Sequence, residues 1–295
     1  MPSTKQALRL LAALLLGACS ISHSVAEPAS PDITWVKNDA PPFYIRSNAS
    51  DLLGIGDQIQ RFIEDALPQY RHTTISLPLP RLNQAWAAGD PLCFSTMIHT
   101  PEPEAEADYL LSRANIFYPA HGVVMRREAA QRLSPDGKPV SLADLLGNPT
   151  LLQGRIAART FGPVIDKLLA EHKAHLPVQI RNGSDETLGI FKMLSKKRFD
   201  YLIEYRFILD YYQAHTRVAD ELVFLPLQEV QGSGVYGAIG CTRSPWGERV
   251  IQDIDSAIES LLASPAYRSL LLSWMAGGDA DYWQTHFPQA AAATQ

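Results

Sequence analysis

Cysteine is scarce in this chain, three among 295 residues, so a disulfide-stapled miniprotein is excluded by count and by length. Basic excess is lacking as well. The 26 Lys and Arg face 31 Asp and Glu, a formal net charge of −5, and the concentrated basic face of a nucleic-acid binder is not expected. Internal repeats, low-complexity blocks and a serine nucleophile elbow are all missing. What is present is ample apolar material: 46% hydrophobic against 19% charged residues excludes a disordered chain. Length and composition together imply an α/β or α+β protein, either two domains or one large one.

The N-terminus carries the most specific short signal. Lys5 and Arg9 precede the apolar run Leu10–Leu16, which falls well short of the roughly 20 residues of a membrane-spanning helix. Small and then polar residues follow, the order of a secretory signal peptide over residues 1–26. Two cleavage sites compete. Leu16-Gly17-Ala18-Cys19 has the form of a lipobox that leaves Cys19 as a lipidated first residue; Ser24-Val25-Ala26 suits an ordinary signal peptidase. Either cut implies an exported, periplasmic protein, soluble or lipid-anchored. Either cut also leaves Cys93 and Cys241, both in apolar strand-like runs, which in an oxidising compartment form a disulfide or stay reduced and buried.

Beyond the linker Glu27–Asp32 the pattern alternates. A strand at Ile33–Val36 breaks at Asp39-Ala40-Pro41-Pro42-Phe43, because consecutive prolines cannot donate to a ladder. A helix is expected from Asp57 as N-cap with Gln60 in the reciprocal position, followed by a strand at Ile75–Leu77, a helix at Arg81–Ala88 and a strand at Leu92–Ile98. After the extended stretch Ile116–Arg126 a second β/α series runs to Val223–Leu227. A second extended stretch, Val235–Cys241, leads to two terminal helices. The longer of these places Val250, Ile251, Ile254, Ala257 and Ile258 on one face. Two β/α series separated by crossing segments predict two lobes, with a ligand site in the cleft beyond the strand ends.

Four ordered motifs then resemble the extracellular solute-binding proteins of the amino-acid type (family 3). The first is Trp35…Pro42-Phe43 followed by Gly56-Asp57; the second is Ala88-Gly89-Asp90…Ser95-Thr96…Thr100-Pro101-Glu102 with Leu111-Ser112. The third is Leu152-Gln153-Gly154-Arg155-Ile156 with Arg159-Thr160-Phe161-Gly162, and the fourth is Lys197-Arg198-Phe199-Asp200-Tyr201-Leu202-Ile203-Glu204. The resemblance covers about residues 31–285 and implies an α/β, two-lobed type II periplasmic-binding-protein-like fold. Lobe 1 is expected to be discontinuous, residues 31–119 plus 230–295, with lobe 2 inserted as residues 120–229. Both Cys93 and Cys241 then fall in lobe 1, which favours their pairing.

The same resemblance implies a monomeric, non-enzymatic protein that captures a small polar solute, an amino acid or related carboxylate, for an ABC importer. A module of the same fold serving a membrane sensor is the alternative. Phe43, Ser95, Thr96, Arg159, Thr160, Phe161, Glu204 and Tyr205 are the implied ligand contacts, with Arg81 a further candidate on its helix start. Arg159-Thr160-Phe161 would offer a helix N-terminus to a carboxylate. One position departs from the pattern. Pro103 stands where the family carries an Arg that grips the ligand carboxylate, so either Arg81, Arg113 or Arg159 replaces it or the ligand is no ordinary α-amino acid. The acid of the fourth motif is also off register by one, with Tyr205 at the expected position.

Other motifs lead to weaker chemistry. Gly232-Ser233-Gly234-Val235-Tyr236-Gly237 matches a dinucleotide fingerprint in letters, but strand residues follow it where a helix is required. His172 and His175 beside Glu171 have metal-compatible spacing in polar flanks, which reads as a solvated face. No cofactor and no metal are assigned.

Overall fold

Strand β1 (Asp32–Lys37) starts the architecture, and the computed structural model describes residues 32–45, 54–100, 107–173, 177–181 and 185–274. The export segment with both cleavage sites, Pro103 and His175 lie outside the described residues. β1 alternates outward and inward residues so that Ile33 and Trp35 point into the core, fully buried. It pairs in parallel with β2 (Arg71–Ser76) and β3 (Leu92–Ile98), which requires a helix in each crossover. These are α1 (Ile55–Ala66) and α2 (Leu79–Ala87).

The expected cap of α1 needs correction. Gly54, not Asp57, is the N-cap, and Asp57 sits one turn in, accepting the Gly54 amide at 2.9 Å and pairing with Lys37 at 2.6 Å. A β-carbon at Gly54 would overlap the Phe43 carbonyl oxygen, so the close approach of the Pro41–Tyr44 turn selects glycine and starts the helix earlier. The start of α2 is likewise two residues ahead of expectation, because Pro80 is favoured in a first turn.

The first sheet has the order β2-β1-β3-β11-β4, where β4 is Tyr109–Leu111 and β11 is Gly234–Thr242; β5 (Ile116–Pro119) also pairs with β11. β11 runs antiparallel to β3 and sets Cys241 opposite Cys93. The two are joined by a disulfide, with their Cα atoms 4.1 Å apart. Helix α8 (Pro245–Ala263) covers this sheet, with Val250, Ile254 and Ile258 buried against Ile33, Trp35 and Ile239. Helix α9 (Pro265–Ser273) follows it. Thus the first sheet draws strands from both ends of the described chain.

The middle of the chain builds the second sheet, β10-β6-β9-β7-β8. Its strands are β6 (Gly122–Arg126), β7 (Gln153–Ile156), β8 (Val178–Arg181), β9 (Tyr201–Glu204) and β10 (Leu222–Pro226). Helices α3 (Arg127–Leu133), α4 (Leu142–Gly147), α5 (Pro163–Glu171), α6 (Glu186–Ser195) and α7 (Arg206–His215) belong to this series. Its core joins Val123, Leu142, Phe161, Ile165 and Tyr201. The chain leaves the first sheet at Pro119 and enters the second at Gly122; it returns through a short turn at Gln228–Val230 and re-enters at Gly234. Two mixed α/β sheets, one discontinuous in sequence and one inserted into it, form a two-lobed type II periplasmic-binding-protein-like fold.

Candidate functional site

A cavity of about 910 Å³ opens between residues of the two sheets' layers. Phe43, Trp86, Phe94, Thr96, Tyr109 and Tyr118 line it from the first lobe; Ile156, Arg159, Thr160, Glu186 and Tyr205 line it from the second. Its size falls within the range of about 300–1,000 Å³ typical of small-molecule sites. Aromatic rings share the wall with polar side chains such as Asn38, Asn83 and Thr187. Phe43 meets Tyr118 edge-on at 5.4 Å and Phe207 at 5.5 Å between centroids, and Tyr205 lies flat on the His121 ring at 3.8 Å.

The structure divides the sequence-derived site residues into three groups. Phe43, Thr96, Arg159, Thr160 and Tyr205 reach the cavity. Ser95, Phe161 and Glu204 are buried behind it. Ser95 exchanges a hydrogen bond with the Tyr44 hydroxyl at 2.9 Å and donates to the Gly56 carbonyl at 3.2 Å, so it holds the wall that Thr96 faces. Phe161 packs edge-on against His121 within the second lobe's core, because the chain turns at Gly162 and directs this ring inward. Arg81 does not reach the cavity at all. It lies on the exposed face of α2, borders a separate shallow depression and donates to Gln84 at 3.2 Å, since the buried side of that helix is taken by Leu82 and Trp86.

Arg159 and Glu204 find each other. The guanidinium donates through both terminal nitrogens, at 2.6 Å and 2.5 Å, to the two carboxylate oxygens, and one of those oxygens also accepts the Tyr205 amide at 2.8 Å. Glu204 is fully buried. Burial pushes its carboxyl above the ordinary range against the pull of Arg159; burial opposes the Arg159 charge, yet Glu204 holds that charge in place. The residue expected to meet a ligand amine is therefore the internal counter-ion of the residue expected to meet a ligand carboxylate.

The amides that lead into the helix beyond Arg159-Thr160-Phe161 are also engaged. α5 starts at Pro163 behind Gly162, and the Phe161 and Gly162 amides donate to the Asp166 carboxylate at 3.0–3.1 Å. Glu186 is the feature that sequence reasoning missed. It stands at the first position of α6, where an acid reads as an ordinary helix-dipole partner. Folding carries it to the other lobe: it accepts from Asn38 at 3.0 Å and from the Leu79 amide, the first residue of α2, at 3.4 Å. Burial raises its carboxyl above the ordinary value of 4.5. His121 is buried beneath the Tyr205 ring. Burial and the Arg159 charge push its imidazole well below 6.5, which keeps it neutral beneath Tyr205.

Among the described residues no group of three or more His, Cys, Asp or Glu is placed to hold a metal ion, and no helix is long and apolar enough to cross a membrane.

This two-lobed architecture is shared with binding proteins of solved structure. An ancestral arginine-binding protein bound to arginine superposes with a TM-score of 0.63 at 16% identity, over 84% of this chain and 99% of that one. A Salmonella typhimurium periplasmic binding protein of high arginine specificity gives 0.60 at 15%, over 83% and 100%. A histidine kinase sensor domain with similarity to periplasmic binding proteins gives 0.63 at 13%, over 83% and 96%. No protein-family model and no curated protein sequence matches the chain.

Proposed function

We propose that this protein captures a small solute between its two lobes, outside the cytoplasmic membrane, and presents it to an ABC importer. The observation that carries the reading is the cavity walled by both lobes, with Glu186 of one bonded to Asn38 and Leu79 of the other. Hinge closure about two crossing segments is the motion such a fold supports. The hinges are assigned to Tyr118–Gly122 and Gln228–Gly232, and the lobe boundaries to 31–119 plus 230–295 and 120–229. Phe43, Thr96, Arg159, Thr160 and Tyr205 serve as ligand-facing residues in this reading, with Ser95, Phe161 and Glu204 supporting them. The protein works as a non-catalytic monomer, exported by the signal at residues 1–26.

The arginine-binding neighbours support the solute-capture reading. The histidine kinase sensor domain supports a second one, in which the same closure signals to a membrane partner. Isothermal titration against a metabolite panel, with small-angle scattering on the same samples, tests solute capture. Saturable binding accompanied by a smaller radius of gyration is expected, and weakening by Thr160→Ala. A radius indifferent to every mixture, with no binding heat, refutes it.

A further inference from the structure

Three devices that proteins use to hold anions face this cavity, and each is filled from inside the chain. The Arg159 fork is occupied on both terminal nitrogens by Glu204. At the start of α5, Asp166 takes the Phe161 and Gly162 amides and sets its own carboxylate where an anion would dock. The N-terminus of α2 is occupied by Glu186, which takes the Leu79 amide. Lys167, the remaining basic residue on the wall among the described residues, is exposed and paired with Glu171 at 3.9 Å.

A carboxylate entering this cavity would lose its hydration and find no unpaired buried cation among the described residues, since the Lys167 charge is exposed and solvated. It could take Arg159 only by stranding a fully buried Glu204, an unfavourable exchange. Glu186 and Asp166, both on the wall, would repel it further. The rest of the wall combines neutral polar side chains, Asn38, Asn83, Thr96 and Thr187 among them, with rings and apolar chains that include Phe43, Trp86, Phe94, Met97, Tyr109 and Tyr118. Such a surface rewards a flat apolar body through burial and ring contacts.

We infer that the solute this cleft selects is an aromatic compound without a carboxylate. The inference rests on the solute-capture reading and narrows it away from amino acids. Pro103, where a carboxylate-gripping Arg is implied by resemblance, is consistent with the same selection.

Titration of the purified protein with four matched indoles tests it: tryptophol, tryptamine, tryptophan and indole-3-acetate. Tryptophol and tryptamine should bind at least tenfold more tightly than tryptophan and indole-3-acetate. In Glu204→Gln, Arg159 loses its counter-charge, and the preference for tryptophol over indole-3-acetate should shrink at least tenfold; if that variant does not fold, the wild-type comparison decides. Tryptophan or indole-3-acetate binding as tightly as tryptophol overturns the inference. So does silence of all four indoles. In that case a panel of the standard amino acids, with scattering, separates the two claims: binding with compaction preserves solute capture, and no response removes it too.

Discussion

Glu186 Oε2 accepts a hydrogen bond from Asn38 Nδ2 at 3.0 Å, and the two residues belong to different lobes, 148 positions apart. With the Leu79 amide on its other oxygen, the Glu186 carboxylate caps a helix that its own lobe does not contain. The contact ties cleft geometry to a titrating group.

A pH dependence follows. The unfolded chain holds Glu186 near its ordinary value of 4.5, and burial raises it in the folded protein. The folded state therefore binds the extra proton between those two values, so this residue's contribution is present below 4.5 and is lost as pH rises through the folded value. The stability of wild type relative to Glu186→Gln should increase as pH falls from about 7 toward the ordinary carboxyl range, read from urea midpoints of both proteins. A flat or opposite difference would contradict the burial of this carboxyl.

Breaking the Arg159–Glu204 pair should cost far more than removing it. Glu204→Leu leaves a buried guanidinium without its counter-charge, at about 3–5 kcal/mol. The double variant Arg159→Met with Glu204→Leu should recover a large part of that loss, giving a coupling of about 1–3 kcal/mol in a double-mutant cycle of denaturant unfolding. Additive losses would mean that the two charges do not depend on each other.

The disulfide joins residues 148 apart, and both cysteines are fully buried. Chain-entropy reasoning gives about 5 kcal/mol for a loop of this length, an upper figure. Cys93→Ser with Cys241→Ser should lower the guanidinium midpoint steeply, while reductant added to the native wild type should change little within minutes. Equal midpoints for oxidised wild type and the double variant would rule the bridge out in solution.

Gly162 adopts φ +95° at the turn into α5, and a β-carbon there would press on Val235 of the first lobe's strand β11. Both the backbone and the neighbour resist a side chain. Gly162→Ala should lose about 1–3 kcal/mol in unfolding free energy. It should also enlarge the radius of gyration of the solute-bound protein, because the crowding is between lobes. A variant as stable and as compact as wild type would show the turn to be unconstrained.

Much of the fold was readable along the chain. The face of α8 follows from the spacing of Val250, Ile254 and Ile258, and the alternation of strands with helices set the layering. Helix starts were less readable, as at Gly54, where a turn from Pro41 to Tyr44 imposes the cap. The candidate site was readable only as a set of names. Arg159, Thr160 and Tyr205 do face the cavity, but Arg81 points away and Glu204 is sealed behind Arg159. The helical period of α2 sets Arg81 on a different face from Trp86, but only the packing of the two sheets puts the cavity on the Trp86 side.

By itself, the amino-acid sequence determined what depends on near neighbours: period-2 and period-3.6 burial, as in β1 and α8, and the break at Pro41-Pro42. Tertiary structure alone decided which charges remain available. Glu204 meets Arg159 from the end of another strand, 45 residues on, and Glu186 meets Asn38 from the opposite lobe. Coulombic pairing and desolvation act through space, so they are settled only once the two sheets stand in place and water has left the groups between them.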